Sequence, residues 1–438
     1  MTSDTKSRTV LPQGVGKFSA KWLMFTAAMV AVLVIGILAY LYEANQGMIV
    51  TGMANTGTQG GVTWGLYVVM VEYFIGVSLA GIVLAAFAYV FNVKVLRPIS
   101  RLAVLLTVGS LMVGVLAVLI DLGKPIRGII NMLLYVRPQS PFFGTFMLVA
   151  VGVLLTSLLY LYLDGRRDAA YLAEFDSSLR WYHRLWAAGY SDTQAERERH
   201  RRTMFWLSIL VVPLVVIALS TEGLVFGIQV GRPGWFGSLQ GPDFLVLAAA
   251  SGLANLIVLT AIVRRVLHDD YVLIGRSVFK WLGGLLLAAT AVALYFQVVE
   301  LFTLLYATPG NERLLADALL RGPYAWIFWL GLVLLGLGLV LLVLQAARRE
   351  WSVGLLVVAS VAISTSAVAE RYLTVIPSQT HGMLLPYEPG SYFPTWVEFA
   401  VVGGLFALGA LLIGLFIKVF PIVPLNGADS DKEVLVDA

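Results

Sequence analysis

Residues 65–91 read GLYVVMVEYFIGVSLAGIVLAAFAYVF, twenty-seven positions whose only charge is Glu72. At about 1.5 Å rise per residue, such a run is long enough to cross a hydrocarbon core of about 30 Å. It has no charged face to turn toward water, so it reads as a transmembrane helix. Its single carboxyl is costly in hydrocarbon, and intramembrane acids usually mark a path for protons, ions or substrate.

Working outward, comparable apolar runs fall at 21–42, 99–121, 142–163, 203–226, 243–264, 277–306, 323–346, 353–370 and 396–420. The chain is therefore expected to be an all-α polytopic membrane protein with ten transmembrane helices. The run 277–306 is long enough to tilt or to project beyond the bilayer. Composition agrees: of 438 residues, 59% are hydrophobic and 13% charged, with a mean hydropathy of +0.85. Soluble domains hold about 45–50% apolar and about 25% charged residues. The first run exceeds a signal-peptide core and lacks a small-residue cleavage site, so it is expected to be retained.

The basic residues set the orientation. With the N-terminus inside, the alternating inner segments hold 23 of the 30 Lys and Arg, and the outer ones hold seven. That asymmetry fits ten helices with both termini cytoplasmic. It also accounts for a pI near 9.1 without any nucleic-acid partner. The expected organisation is a cytoplasmic segment 1–20, a membrane domain 21–422 and a cytoplasmic tail 423–438. The large inner loop 164–202 is expected to form a helical hairpin against the membrane.

Helix direction places Asp121, Glu222, Glu300, Glu370 and Glu398 toward one outer face, with Glu72 about two turns deeper. Asp121 and Glu398 can also be read as interfacial, and Glu370 as a local partner of Arg371. Glu72 and Glu300 have no opposite charge beside them in sequence. The loop 122–141 begins Leu-Gly-Lys-Pro-Ile-Arg, a helix stop in which Lys124 and Arg127 are free to meet Asp121 or a docked partner. There is no cysteine, and His183, His200, His268 and His381 all fall in loops. The chain thus offers no thiolates for an iron–sulfur cluster and no intramembrane imidazoles for haem. No metal site is expected.

These residues carry a family resemblance. Trp64-Gly65-Leu66-Tyr67 enters the second helix, with Phe74, Gly76 and Gly81 along it. Asp121-Leu122-Gly123-Lys124-Pro125 is followed by Arg127 and by Ser140-Pro141. Arg371-Tyr372 leads to Tyr392-Phe393-Pro394-Thr395-Trp396-Val397-Glu398 and to Lys418-Val419-Phe420-Pro421-Ile422. The chain resembles the NrfD-like, polysulfide-reductase-type membrane subunits of quinone-linked respiratory complexes, in their ten-helix branch. That branch includes subunits of alternative complex III and of periplasmic hydrogenase and sulfur-cycle complexes. Two departures stand out. Many relatives have Ser-Pro-Met-Ser-Trp where this chain has Ser140-Pro141-Phe142-Phe143-Gly144, and some carry a histidine near the quinone.

The resemblance implies two four-helix bundles, helices 2–5 and 6–9, flanked by helices 1 and 10. It implies a menaquinone or ubiquinone site near the outer face of a bacterial or archaeal cytoplasmic membrane. An iron–sulfur subunit would dock there, with a molybdenum enzyme, a hydrogenase or a cytochrome behind it. Asp121 is the expected headgroup contact or proton acceptor, with Tyr67, Asn131 and Tyr135 as neighbours by depth. Glu72, Glu300 and Glu222, with the hydroxyls of Ser78, Thr107 and Ser110, would continue a proton path. Lys124 and Arg127 would meet the partner. A secondary transporter or a passive membrane anchor are the alternatives that the acids also allow.

Overall fold

The computed structural model describes residues 11–54, 62–140, 144–267, 274–306, 310–381 and 391–425. His268, Pro141–Phe143 and the tail from 426 onward therefore lie outside the described residues. Among the described residues the fold is helical, with one isolated β-bridge between Arg137 and Gly144.

In chain order the helices are α1 (Ala20–Gln46), α2 (Leu66–Val90), α3 (Arg97–Asp121), α4 (Pro125–Leu134) and α5 (Thr145–Leu172). They continue with α6 (Arg180–Ala187), α7 (Gln194–Gly227), α8 (Gln240–Val266), α9 (Arg276–Tyr306) and α10 (Gly310–Leu320). The last four are α11 (Ala325–Arg348), α12 (Val353–Val375), α13 (Pro377–Thr380) and α14 (Trp396–Val419). Among the described residues, ten helical stretches are long and apolar enough to cross a membrane, as the hydropathy runs require. The short helices α4, α6, α10 and α13 are additions that a span count does not see. With α6 between their ends, α5 and α7 run on through the stretch read as a loop, so His183 and His200 lie in helices.

The helix of residues 65–91 is the centre of the molecule. About 83% of its apolar window is buried inside the protein, against 11% for α1. α2 packs on α3, α7, α8 and α12, while α1 pairs with α14. α8, α9, α11 and α12 contact one another in turn. Apolar helices gain little hydrophobic energy from each other in lipid, so close backbone approach must hold them. Gly36 and Gly404 supply it between α1 and α14: a Cβ on Gly36 would lie 2.8 Å from the Gly404 Cα.

Gly81 does the same between α2 and α3, where an added Cβ would meet the Ala103 carbonyl oxygen, and the Thr107 hydroxyl at 2.5 Å. Gly336, on α11, faces open space. Gly81→Ala is therefore expected to cost about 1–3 kcal/mol by overpacking, read as a lower thermal midpoint in detergent. Gly336→Ala should leave the midpoint unchanged or raise it. Equal midpoints for the two variants would contradict the close packing.

At the face that holds most of the Lys and Arg, the two described ends of the chain are tied together. The Gln13 side chain donates to the Val423 carbonyl at 2.8 Å and accepts from its N–H at 3.0 Å. Arg101 is fully buried there, 2.8 Å from both Asp164 and Asp168. Its guanidinium also donates to the Pro421 carbonyl at 2.9 Å, and Tyr89 donates to Asp164 at 2.8 Å. α6 lies under this point, with His183 bonded to the Val419 carbonyl at 3.1 Å and Trp186 stacked on Phe420. Burial holds the His183 imidazole below its ordinary pKa.

Candidate functional site

The opposite face gathers acids and phenols from six parts of the chain. The stretch Trp64-Gly65-Leu66-Tyr67 is its hinge, and each residue has a physical reason. Trp64 stacks on Trp235 at 5.7 Å. Gly65 leaves room for a neighbour, since a Cβ there would lie 2.6 Å from Met53. The Leu66 N–H donates to the Tyr392 hydroxyl at 2.8 Å. Tyr67, wholly buried, donates to Glu43 at 2.5 Å. Gln379 clamps the entrance, accepting from the Thr63 and Trp64 N–H groups at 2.9 and 3.0 Å.

A second phenol–carboxylate pair lies beside the first: Tyr392 donates to Glu398. Burial, then the neighbouring carboxylate, holds the Tyr392 phenol well above its ordinary pKa, so it remains a donor. Glu398 is saturated. Its other oxygen accepts the Gly52 N–H at 2.8 Å and the Thr395 N–H at 2.9 Å, completing a capping box at the start of α14. Tyr372 donates to the Tyr392 carbonyl at 2.7 Å, and the Tyr324 and Thr380 hydroxyls pair at 2.9 Å. His381 closes the edge of the set, 3.0 Å from the Thr380 hydroxyl.

Asp121 is within electrostatic reach of Glu43, Glu398 and Tyr67. It is the last residue of α3, where the helix dipole opposes an anion, so it is not placed there for helix stability. Gly123, at φ +64°, ends α3 in the left-handed conformation, and Pro125 opens α4. One oxygen of Asp121 and one of Glu43 are buried without a hydrogen-bond partner. Buried orphan acceptors are rare in native proteins. Two of them within electrostatic reach of each other are open acceptors for donor groups.

The remaining sequence candidates divide. Asn131 and Tyr135 are exposed on or just after α4, and among the described residues no hydrogen bond joins them to Asp121, Tyr67 or Glu43. Lys124 and Arg127 are also exposed and form no ion pair with Asp121. Ser78 and Thr107 are buried but bond their own helices, to the Ile75 and Ala103 carbonyls at 2.7 and 3.1 Å. Ser110 is buried nearby on α3.

Glu72 and Glu222 come together deeper in the protein, beside Arg371. Arg371 is buried, with its guanidinium 3.7 Å above the Phe244 ring and one nitrogen without a hydrogen-bond partner. It is shared rather than paired with Glu370. Asp243, Glu300 and Glu370 feel the same charge. Glu370 accepts from Gln297 at 2.8 Å. A cavity of about 80 Å³ lies between Gln297, Glu300, Glu370 and Thr374, room for roughly two or three waters at about 30 Å³ each.

Sequence reasoning missed Glu43, Asp243 and the reach of Arg371. Glu43 follows an apolar helix just as Asp121 does, so the same search for acids at helix ends could have found it. Thr395-x-x-Glu398 has the capping-box spacing and could also have been read as a cap, but the bond of Glu398 to Gly52, 346 residues away, had no such signal.

Comparison with known proteins agrees with this architecture. The family described as "Polysulphide reductase, NrfD" matches residues 54–381. A putative dimethyl sulfoxide reductase membrane subunit of Halobacterium salinarum is 30% identical, covering 96% of this chain and 95% of its own length. A selenate reductase subunit of Mesobacillus selenatarsenatis is 27% identical, over 89% and 92%. The Hdr-like menaquinol oxidoreductase integral membrane subunit of Archaeoglobus fulgidus is 24% identical, over 93% and 95%. With three quarters of its length matched and ten apolar helices in place, the chain belongs to the polysulphide reductase NrfD family.

Proposed function

We propose that this chain is the quinone-reactive membrane subunit of a respiratory oxidoreductase complex. The observation that carries it is the pair of orphan carboxylate oxygens, on Glu43 and Asp121, beside the buried Tyr67 phenol. A bound quinol supplies two electrons and two protons. Its hydroxyls need acceptors, and Glu43 and Asp121 offer them. Tyr67 holds Glu43 in place through its hydrogen bond, which spends its one proton and leaves its oxygen able to accept from a quinol hydroxyl. Glu398 positions α14 through its cap and is already fully bonded.

The electrons would pass to an iron–sulfur subunit docked on the acid-bearing face, with a molybdenum enzyme behind it. The names of the first two relatives, both reductase subunits, favour that class, and the third favours menaquinol as the quinone. Lys124, Arg127 and the apolar side of α4, where Ile126 and Leu133 are exposed, offer the partner a surface. Protons would move inward through Glu72, Glu222, Glu300 and Glu370 around Arg371. The acid-bearing face is assigned to the outside, and both termini to the cytoplasm, on the Lys/Arg asymmetry.

Purification in mild detergent tests the reading. The chain is expected to come with an iron–sulfur subunit, and a short-chain quinol is expected to reduce that partner's clusters. A lone protein without iron or quinone, from a preparation shown to be intact, would move the assignment to a transporter. A complex whose clusters no quinol reduces would leave the chain a passive anchor.

A further inference from the structure

On the basic face, far from the phenol–carboxylate site, an open groove of about 1240 Å³ lies among α8, α9, α11 and α12. Six cations line it: Arg264 and Arg265 from the end of α8, Arg276 and Lys280 from the start of α9, and Arg348 and Arg349 from the end of α11. Glu350 is the single acid among its lining residues. Among the described residues, Arg265, Arg276, Lys280, Arg348 and Arg349 form no ion pair and are exposed.

The positive-inside bias accounts for cations at this face, and the helix dipoles favour only some of them. Cations at the ends of α8 and α11 complement the helix dipoles, but Arg276 and Lys280 stand at the start of α9, where the dipole opposes them. α9 also has no acid in its first turn. Elsewhere on the same face some cations are used internally: Arg167 and Arg197 pair with Asp192, and Arg166 donates to the Ala187 carbonyl at 3.0 Å. Among the described residues, five of the groove's six cations have no ion-pair partner.

Its shape is held by packing. The Trp351 ring lies directly on Gly283 of α9, where an added Cβ would come within 2.6 Å of ring atoms. Gln345, itself buried, accepts the Ser352 N–H at 3.0 Å and fixes the turn between α11 and α12. Arg349 adopts the left-handed conformation at φ +54° in that turn. Below the charged rim the walls are apolar, with Val258, Ile262, Leu341, Leu344 and Leu355. Ile262, Leu344 and Leu355 are also exposed, so these walls open sideways toward the acyl region.

We infer that this groove binds an anionic phospholipid, with phosphate among the six cations and acyl chains along the apolar walls. A basic pocket between transmembrane helices on the cytoplasmic side suits an acidic headgroup. A soluble anion would use the rim but not the walls. The inference is independent of the quinone reading.

The test is lipid retention by the detergent-purified protein, or its complex, after exchange into equimolar phosphatidylglycerol and phosphatidylcholine, read by native mass spectrometry. Phosphatidylglycerol is expected to be retained about tenfold over phosphatidylcholine. A photoreactive phosphatidylglycerol should label residues 258–267, 274–280 and 341–355. The triple variant Arg265→Gln, Arg276→Gln, Arg348→Gln should lose the preference with its thermal midpoint unchanged. If the variant does not fold, preference and labelling in the parent protein still decide. Equal retention of both lipids, labelling elsewhere, or preference surviving in a folded variant would overturn the inference. Displacement of phosphatidylglycerol by inorganic phosphate would also overturn it, in favour of a free-anion site.

Discussion

Asp121→Asn in the assembled complex is expected to lower quinol oxidation roughly 10²-fold or more, the usual contribution of a positioned proton acceptor. Asparagine keeps the shape and the hydrogen-bonding oxygen but cannot take a proton. Glu43→Gln should behave alike, for the same reason. The double variant should fall little further, since groups that act on one proton transfer are not additive. Reduction of a soluble dye by the partner subunits, which bypasses this chain, should stay normal in all three. Glu398→Gln is the useful contrast: its carboxylate caps α14 and holds Gly52, so the expected loss is in thermal stability before turnover. Normal quinol turnover in both Asp121→Asn and Glu43→Gln would sink the proton-acceptor role.

Arg101→Leu is expected to be the most damaging single change to the fold, at about 3–5 kcal/mol. The reason is asymmetry. With Arg101 in place, Asp164 and Asp168 each have a cationic partner at 2.8 Å in a fully buried site. Removing it strands two buried carboxylates and frees the Pro421 carbonyl. Adding Asp164→Asn and Asp168→Asn should recover much of the loss, because neutral amides cost less to bury than unpaired charges. Thermal unfolding in detergent measures both effects, with protease sensitivity of residues 421–425 as a local readout. A single variant as stable as the parent would refute the role of this cluster.

The two clusters show what a sequence can and cannot reveal about such a chain. The helices were legible because lipid demands about twenty apolar residues in a row, and few other structures do. The acids were legible because a carboxyl stands out against hydrocarbon: Glu72 and Glu222 were singled out separately, and the fold places them together beside Arg371. Partnerships were not legible. Arg101 counted only as one of the basic residues that set topology, yet it binds groups 63 and 320 positions away. Glu398 read as an interfacial acid and is a helix cap. Asn131 and Tyr135 were chosen by depth alone, and depth does not say which way a side chain faces. Both are exposed, on and just after α4, and among the described residues no hydrogen bond joins them to Tyr67 or Glu43. Glu43 escaped notice although its position, the end of an apolar helix, is the same signal that marked Asp121.

The central claim is that quinol meets this chain at Glu43, Tyr67 and Asp121, and photolabelling tests it most directly. The assembled complex would be irradiated with an azido-quinone, and the labelled peptides mapped by mass spectrometry. Label in the segments around 43, 67, 121 and 392–398, abolished by excess quinol, is the predicted result. Competable label confined to the cavity around Gln297, Glu300 and Glu370, or label that quinol does not displace, would contradict it.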